Sequence, residues 1–222
     1  MRRTWIAAGC IVLGFVGAPQ AGSQGRFRLL KEERMILEYN PAEDQASVIV
    51  SAESEVGVEE LQLRGPSGVN VLEIHADGAH FGLYGINVEN GEAPLASILA
   101  SYPEGVYHLR GRTANGGNAL GAARFSHTLL AAPVVHFPLD GAVDVPADGL
   151  TVTWVPDSGA ARYRITLEQG ETDLMAAEVR SGSGTFRIPD GILNGRERYA
   201  VEIAAIAPNG NETLVKVPFS TR

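Results

Sequence analysis

The sequence predicts an all-β protein in which a signal peptide precedes two tandem β-sandwiches. Short apolar runs alternate with polar residues, and clusters of Gly, Pro, Asn and Asp separate these runs about every 8 to 12 residues. No stretch from Gly25 onward keeps the apolar period of an amphipathic helix. The length of 222 residues leaves room for one large or two ordinary domains.

The N-terminus has the composition of a secretory signal peptide, which we place at residues 1–21. Arg2 and Arg3 precede an apolar run from Ile6 to Val16, and small residues follow up to Ser23. The run is too short for a transmembrane helix, which needs about 20 apolar residues. We therefore predict export to the periplasm or the medium without a membrane span, by the general or the twin-arginine route.

The charge and the cysteine content narrow the classes of partner and cofactor. Removal of residues 1–21 deletes two arginines and no acid, so the formal net charge changes from −8 to −10. This acidic balance argues against nucleic acid and anionic membrane surfaces as partners. Cys10 is the only cysteine and lies in the signal peptide, so we expect no disulfide, no thiol nucleophile and no thiolate metal ligand in the mature chain. No motif of the sequence indicates a cofactor, and we assign none.

The clearest strand pattern lies between Pro133 and the C-terminus. In Leu150–Trp154, Tyr163–Leu167 and Tyr199–Ile203, apolar residues two positions apart share one face and the residues between them the other. Four further runs complete a pattern of seven strands: Val134–Phe137, Leu174–Val179, Thr185–Ile188 and Leu214–Phe219.

These runs and the turn Pro208-Asn209-Gly210-Asn211 together resemble a fibronectin type III domain over residues 133–222. The resemblance implies that Trp154 is the core tryptophan of the second strand and Tyr163 the core tyrosine of the third. It also implies a tyrosine corner, in which the Tyr199 hydroxyl bonds to the backbone just upstream. It brings no catalytic residue with it.

The first half repeats part of this pattern, which predicts an N-terminal β-sandwich over residues 26–132. Gly105–Leu109 followed by Asn115–Gly117 echoes Tyr199–Ile203 followed by Asn209-Gly210. We expect the two halves to fold separately and to be joined at residues 129–133. The predicted elements of the first half are Met35–Tyr39, Ala46–Ala52, Glu60–Arg64, Val69–Ile74, Leu83–Val88, a helical turn at Pro94–Ala100, Val106–Arg112 and Leu120–Thr128.

Two runs of the first half, Tyr102–Tyr107 and Ser126–Pro133, are also similar to uncharacterised bacterial exported proteins. That likeness names no activity. It agrees with the exported location that the N-terminus predicts.

Two groups of residues have the chemistry of metal ligands, but turns explain both more simply. Imidazoles and a carboxylate suit zinc, and carboxylates suit calcium. The candidate zinc ligands are His75, Asp77 and His80. The candidate calcium ligands are Asp140, Asp144 and Asp148. Asp77-Gly78 is itself a turn signal, and the three aspartates lie close to Gly or Pro, so we assign no metal ligand.

Two further clusters could contact a partner. The first consists of four glutamates, Glu53, Glu55, Glu59 and Glu60. They could bind a cation, although we expect them to protect a sheet edge against aggregation. The second consists of aromatic residues on the first half, Phe81, Tyr84, Tyr102 and Tyr107, whose rings could stack on a sugar.

The sequence therefore favours an exported, non-enzymatic interaction or structural module that binds another protein or an envelope polysaccharide. The alternative is a small-ligand or carbohydrate-binding protein of the bacterial envelope, with its site at the aromatic cluster. A hydrolase is the third class, but no Gly-x-Ser-x-Gly nucleophile elbow is present. We assign no catalytic, cofactor-binding or metal-binding residue.

Overall fold

The computed structural model describes residues 27–76 and 82–222. The predicted signal peptide lies outside these residues, as do Asp77, His80 and Phe81. The elements of the first half are β1 (Phe27–Leu29), β2 (Lys31–Asn40), β3 (Gln45–Arg64), β4 (Asn70–His75), β5 (Leu83–Glu89), α1 (Leu95–Ser101), β6 (Gly105–Thr113) and β7 (Asn118–Phe125). The elements of the second half are β8 (Val134–Phe137), β9 (Ala142–Val145), β10 (Thr151–Val155), β11 (Arg162–Gln169), β12 (Thr172–Arg180), β13 (Thr185–Arg187), β14 (Arg198–Ile206) and β15 (Glu212–Thr221).

The predicted fold class, all-β with tandem sandwiches, is confirmed. Each half buries its own apolar cluster, built from the inward residues of the alternating runs. In the first half the largest buried side chains include Met35, Tyr107 and Phe125. In the second half they include Tyr163 and Ile203.

The most prominent difference from the sequence prediction is β3, which is one strand of 20 residues rather than two short strands. Its first part, residues 45–53, pairs with β2 and β5, and its second part, residues 58–64, pairs with β4 and β6. The register shifts between these parts. The side chain of Ser54 bonds there to the backbone of Val56, so a polar segment that reads as a turn stays within the strand.

The second half has two facing sheets. One contains β13, β10 and β8, and the other runs β15, β14, β11 and β12. Trp154 from the first sheet packs against Tyr163 from the second, with ring centroids 5.4 Å apart. The short β9, which the alternation did not predict, runs parallel to the end of β15.

The two halves are joined by direct strand pairing as well as by the chain. The start of β15 runs parallel to the end of β2, with Glu212 opposite Glu38 and Thr213 opposite Tyr39. The sheet of the second half that contains β15, β14, β11 and β12 therefore continues into the sheet formed by β2, β3 and β5. Within the described residues, 27–76 and 82–222, no helix is long and apolar enough to cross a membrane.

Candidate interaction surfaces

The residues that could bind a metal do not form a metal site in the part of the chain that the structure describes. His75 is exposed, and its Nε2 lies 3.1 Å from Glu73 Oε1, while Asp77 and His80 lie outside the described residues. Asp140, Asp144 and Asp148 are exposed. Among residues 27–76 and 82–222, no three His, Cys, Asp or Glu side chains are placed to hold a metal ion.

The prediction that Glu53, Glu55, Glu59 and Glu60 protect a sheet edge is wrong. They lie on β3, which has a paired strand on each side. Glu53 lies between Lys31 and Gly85, and Glu60 lies between His75 and Arg112. Three of the four have basic partners. Glu55 pairs with Lys31, and Arg112 contacts Glu59 at 3.6 Å and Glu60 at 2.7 Å.

The three described members of the aromatic cluster, Tyr84, Tyr102 and Tyr107, do not form an exposed platform. Tyr84 is 62% exposed, but Tyr102 packs against the core and Tyr107 is 0% exposed. Tyr107 instead donates a hydrogen bond from its hydroxyl to the carbonyl of Pro103, at 2.9 Å, and packs edge-to-face against Phe125. Tyr107, which the sequence made a candidate for stacking on a sugar, therefore packs in the core and stabilises it.

Tyr107 has a counterpart in the second half. The Tyr199 hydroxyl accepts a hydrogen bond from the backbone N–H of Asn194, at 2.8 Å, and its ring packs against Phe219. Both tyrosines lie near the start of a strand and bond to backbone four or five residues upstream. This is the tyrosine corner that the resemblance implied, on a two-sheet arrangement in which β10 carries the core tryptophan. The second half is a fibronectin type III-like sandwich.

We predict that Tyr107→Phe and Tyr199→Phe each lower the free energy of unfolding by about 1 kcal/mol. Each substitution removes one hydrogen bond and leaves the packing of the ring intact. Denaturant unfolding monitored by circular dichroism measures the effect. Tyr84→Phe is the matched control, since that ring is exposed, and an equal loss in all three variants would contradict the two corners.

The turn between β14 and β15 of the fibronectin type III-like sandwich docks onto the first half through Asn211. This side chain is 2% exposed. Its Oδ1 accepts from the backbone N–H of Leu37 at 2.9 Å, and its Nδ2 donates to the carbonyls of Ser126 at 2.7 Å and Thr128 at 2.9 Å. The turn lies close to β2, since a Cβ at Gly210 would lie 3.1 Å from the side chain of Ile36. Gly210 also has a φ of +91°, a backbone conformation that favours glycine.

The connecting segment is fixed on both sides. Leu129 packs against the core of the first half and Leu130 against the core of the second. Thr213 donates from its hydroxyl to the carbonyl of Leu130 at 2.9 Å, and Asn209 donates to the carbonyl of Thr128 at 3.0 Å. Because these adjacent leucines pack into different halves, the connecting segment has little freedom to bend.

A charged network, which we call the junction cluster, covers the sheet face where β2 meets β15. It consists of Glu38 on β2, Arg164 and Glu168 on β11, Glu202 on β14, and Glu212 and Lys216 on β15. Arg164 bonds to both carboxylate oxygens of Glu212 and contacts Glu38 at 3.3 Å, so one guanidinium serves both halves. Lys216 pairs with Glu168.

The junction cluster has more acids than bases, and this imbalance changes its titration. Burial raises the pKa of Glu38 to about 7, helped by the charge of Glu212 and opposed by Arg164. Burial also raises the pKa of Glu202, and the charge of Glu168 adds to it. A small polar cavity of about 130 Å³ lies beside these residues, and Glu43 and Glu92 also line it.

A second polar surface, which we call the arginine face, lies on the outer side of β3, β6 and β7. Its arginines are Arg64, Arg110, Arg112 and Arg124, and all four are exposed. Arg110 stands opposite Gln62, and Arg64 opposite His108, on paired strands. Among residues 27–76 and 82–222, Arg110 and Arg124 have no carboxylate at ion-pairing distance. The acidic charge of the whole half gave no sign of this surface.

Neither the family models nor the curated proteins gave a match to this sequence. Among solved structures, the fibronectin(III)-like modules of Clostridium thermocellum CbhA are similar at 10% identity and a TM-score of 0.36, over 87% of this chain and 93% of that one. The FN1–FN3 domains of chicken CNTN1 are similar at 8% identity and a TM-score of 0.36, over 89% of this chain and 66% of that one.

Proposed function

We propose that this protein is an exported, non-enzymatic interaction module, in which two β-sandwiches form one stiff unit that holds the arginine face toward an acidic partner. The partner is another protein or an envelope polysaccharide. The docking of Asn211 at the junction carries this proposal, because it converts two sandwiches into one body.

The stiffness of the unit rests on the number of separate contacts at the junction. Backbone pairing of β2 with β15, the three hydrogen bonds of Asn211 and the shared Arg164 connect the halves directly. A flexible linker between two binding domains needs none of these. A structure that fixes the angle between its parts suits a spacer or a bracket that presents one surface at a defined distance.

The arginine face supports an acidic partner through charge complementarity. Guanidinium groups bind carboxylate and phosphate groups in a forked geometry, and they lose less hydration than ammonium groups do. Arg110 and Arg124 keep this capacity, since neither pairs with a carboxylate of the described residues. The surrounding acidic surface of the protein would repel other acidic molecules, which confines such a contact to this face.

A charge reversal tests the proposal. The full chain, exported and immobilised, is incubated with an envelope fraction, and bound material is recovered by salt elution for mass spectrometry and sugar analysis. We expect acidic material to bind, and Arg110→Glu with Arg124→Glu to reduce its recovery about fivefold, the effect of about 1 kcal/mol in binding.

The matched control is Arg198→Glu, an exposed arginine on the other sandwich. It should leave recovery unchanged, and circular dichroism establishes that all variants are folded. Equal loss with Arg198→Glu, or binding that ignores both changes, would contradict the assignment of the partner to the arginine face.

A further inference from the structure

We propose that the junction cluster is a pH-dependent lock between the two sandwiches, which holds them most tightly in mildly acidic surroundings and loosens as the medium becomes alkaline. This inference goes beyond the proposed interaction with a partner, since it concerns the angle between the halves and not the arginine face.

The geometry places Glu38 where its charge opposes docking. Among the residues that the structure describes, its only basic contact is Arg164 at 3.3 Å, and Arg164 also bonds to both carboxylate oxygens of Glu212. The Glu212 side chain is 6% exposed and the Glu38 side chain 24% exposed, so solvent screens this group of charges poorly. The guanidinium of Arg164 therefore contacts two carboxylates, one from each half.

Three of the elements around Glu38 contribute an acid each. Glu212 comes from β15, Glu202 from β14 and Glu89 from β5, and all three raise its pKa, while Arg164 from β11 lowers it. Lys216 does not relieve Glu38, because it pairs with Glu168. Undocking separates Glu38 from the three charged groups of the second half and returns it to water.

The sign of the pH dependence follows from the raised pKa. Docking keeps the proton on Glu38 up to about pH 7, whereas an undocked glutamate ionises near its ordinary value of 4.5. The contribution of Glu38 to docking is therefore complete below about pH 4.5 and is lost as the pH rises to about 7. Glu202, whose pKa is also raised, acts in the same direction.

The distance between the two halves reports this change directly. Spin labels are attached to Ala114→Cys in the first half and Ser181→Cys in the second, both exposed positions, in the full chain with Cys10→Ser. Pulsed electron-electron resonance then gives the distribution of distances. We expect a narrow distribution at pH 5.5 and a clearly broader one at pH 8.5.

Glu38→Gln is the decisive variant, because glutamine imitates the protonated acid at every pH. We expect it to remove most of the broadening at pH 8.5. Glu55→Gln is the matched control, since Glu55 is exposed and remote from the cluster, and it should broaden like the unchanged protein. Equal widths at both pH values in the unchanged protein, or full broadening in Glu38→Gln, would overturn the proposal.

Discussion

Replacement of Asn211 by alanine is expected to lower the free energy of unfolding by about 3 kcal/mol. The side chain is buried and satisfies the N–H of Leu37 and the carbonyls of Ser126 and Thr128, just before the connecting segment. A buried backbone group that loses its partner costs about 1 to 3 kcal/mol, and the carbonyl of Thr128 keeps a second donor in Asn209. Denaturant unfolding, with Trp154 fluorescence and circular dichroism as separate probes, measures the loss.

Asn87→Ala is the matched control for this change. Asn87 is exposed on β5, so its loss should leave the free energy of unfolding within about 0.5 kcal/mol of the unchanged protein. We also expect that in Asn211→Ala the unfolding transition seen by Trp154 fluorescence no longer coincides with the one seen by circular dichroism, because the halves then unfold more independently. Equal effects of the two alanines would show that the junction contributes nothing to stability.

Gly111→Ala is expected to cost about 3 kcal/mol or to prevent folding of the first half. A Cβ at Gly111 would lie 2.1 Å from the backbone oxygen of Glu60, on the neighbouring strand β3. A contact this short is relieved only by separating β6 from β3, because a backbone atom in a paired strand cannot turn away as a side chain can. The yield of folded protein and its thermal unfolding show the effect.

Gly85→Ala controls for the general cost of changing a strand glycine. Gly85 lies on β5, and a Cβ there would meet nothing within 4 Å. This substitution should be neutral or slightly stabilising, since alanine restricts the unfolded chain more than glycine does. Similar losses for Gly111→Ala and Gly85→Ala would contradict the close approach of β6 to β3.

Local patterns in the sequence predicted much of the fold because strand periodicity is a local property. The runs around Trp154, Tyr163 and Tyr199 predicted their strands and their inward residues, and the helical turn near Leu95 is α1. The continuity of β3 was not predictable in this way. Glu53, Ser54 and Glu55 read as a break, and the tertiary pairing of the residues before and after it, from Glu53 back and from Val58 on, keeps it within one strand.

The candidate surfaces were harder to predict because they depend on contacts between distant parts of the chain. Glu38 and Arg164 are 126 residues apart, and neither has a local signal that points to the other. Asn211 stands in an Asn-x-Thr glycosylation signal, yet the fold buries it at the junction. Residue type alone makes Tyr107 a candidate for stacking on a sugar, although its place in the internal repeat with Tyr199 indicates a core position.

The predicted boundary between residues 26–132 and 133–222 stays a proposal about independent folding. Expression of residues 133–222 alone, followed by an amide NMR spectrum, tests it. The sandwich has its own buried cluster around Trp154, so we expect a dispersed spectrum. A collapsed spectrum would mean that the two halves need each other to fold.

The two sandwiches are expected to move as one stiff body, and the rotational diffusion of each half tests this expectation. Backbone ¹⁵N relaxation of the full chain at pH 6 yields a diffusion tensor for each half from its own strand residues. We predict one shared tensor, of the size expected for the whole protein. Two tensors with shorter and unequal correlation times would show that the sandwiches tumble separately and that the junction does not hold them together.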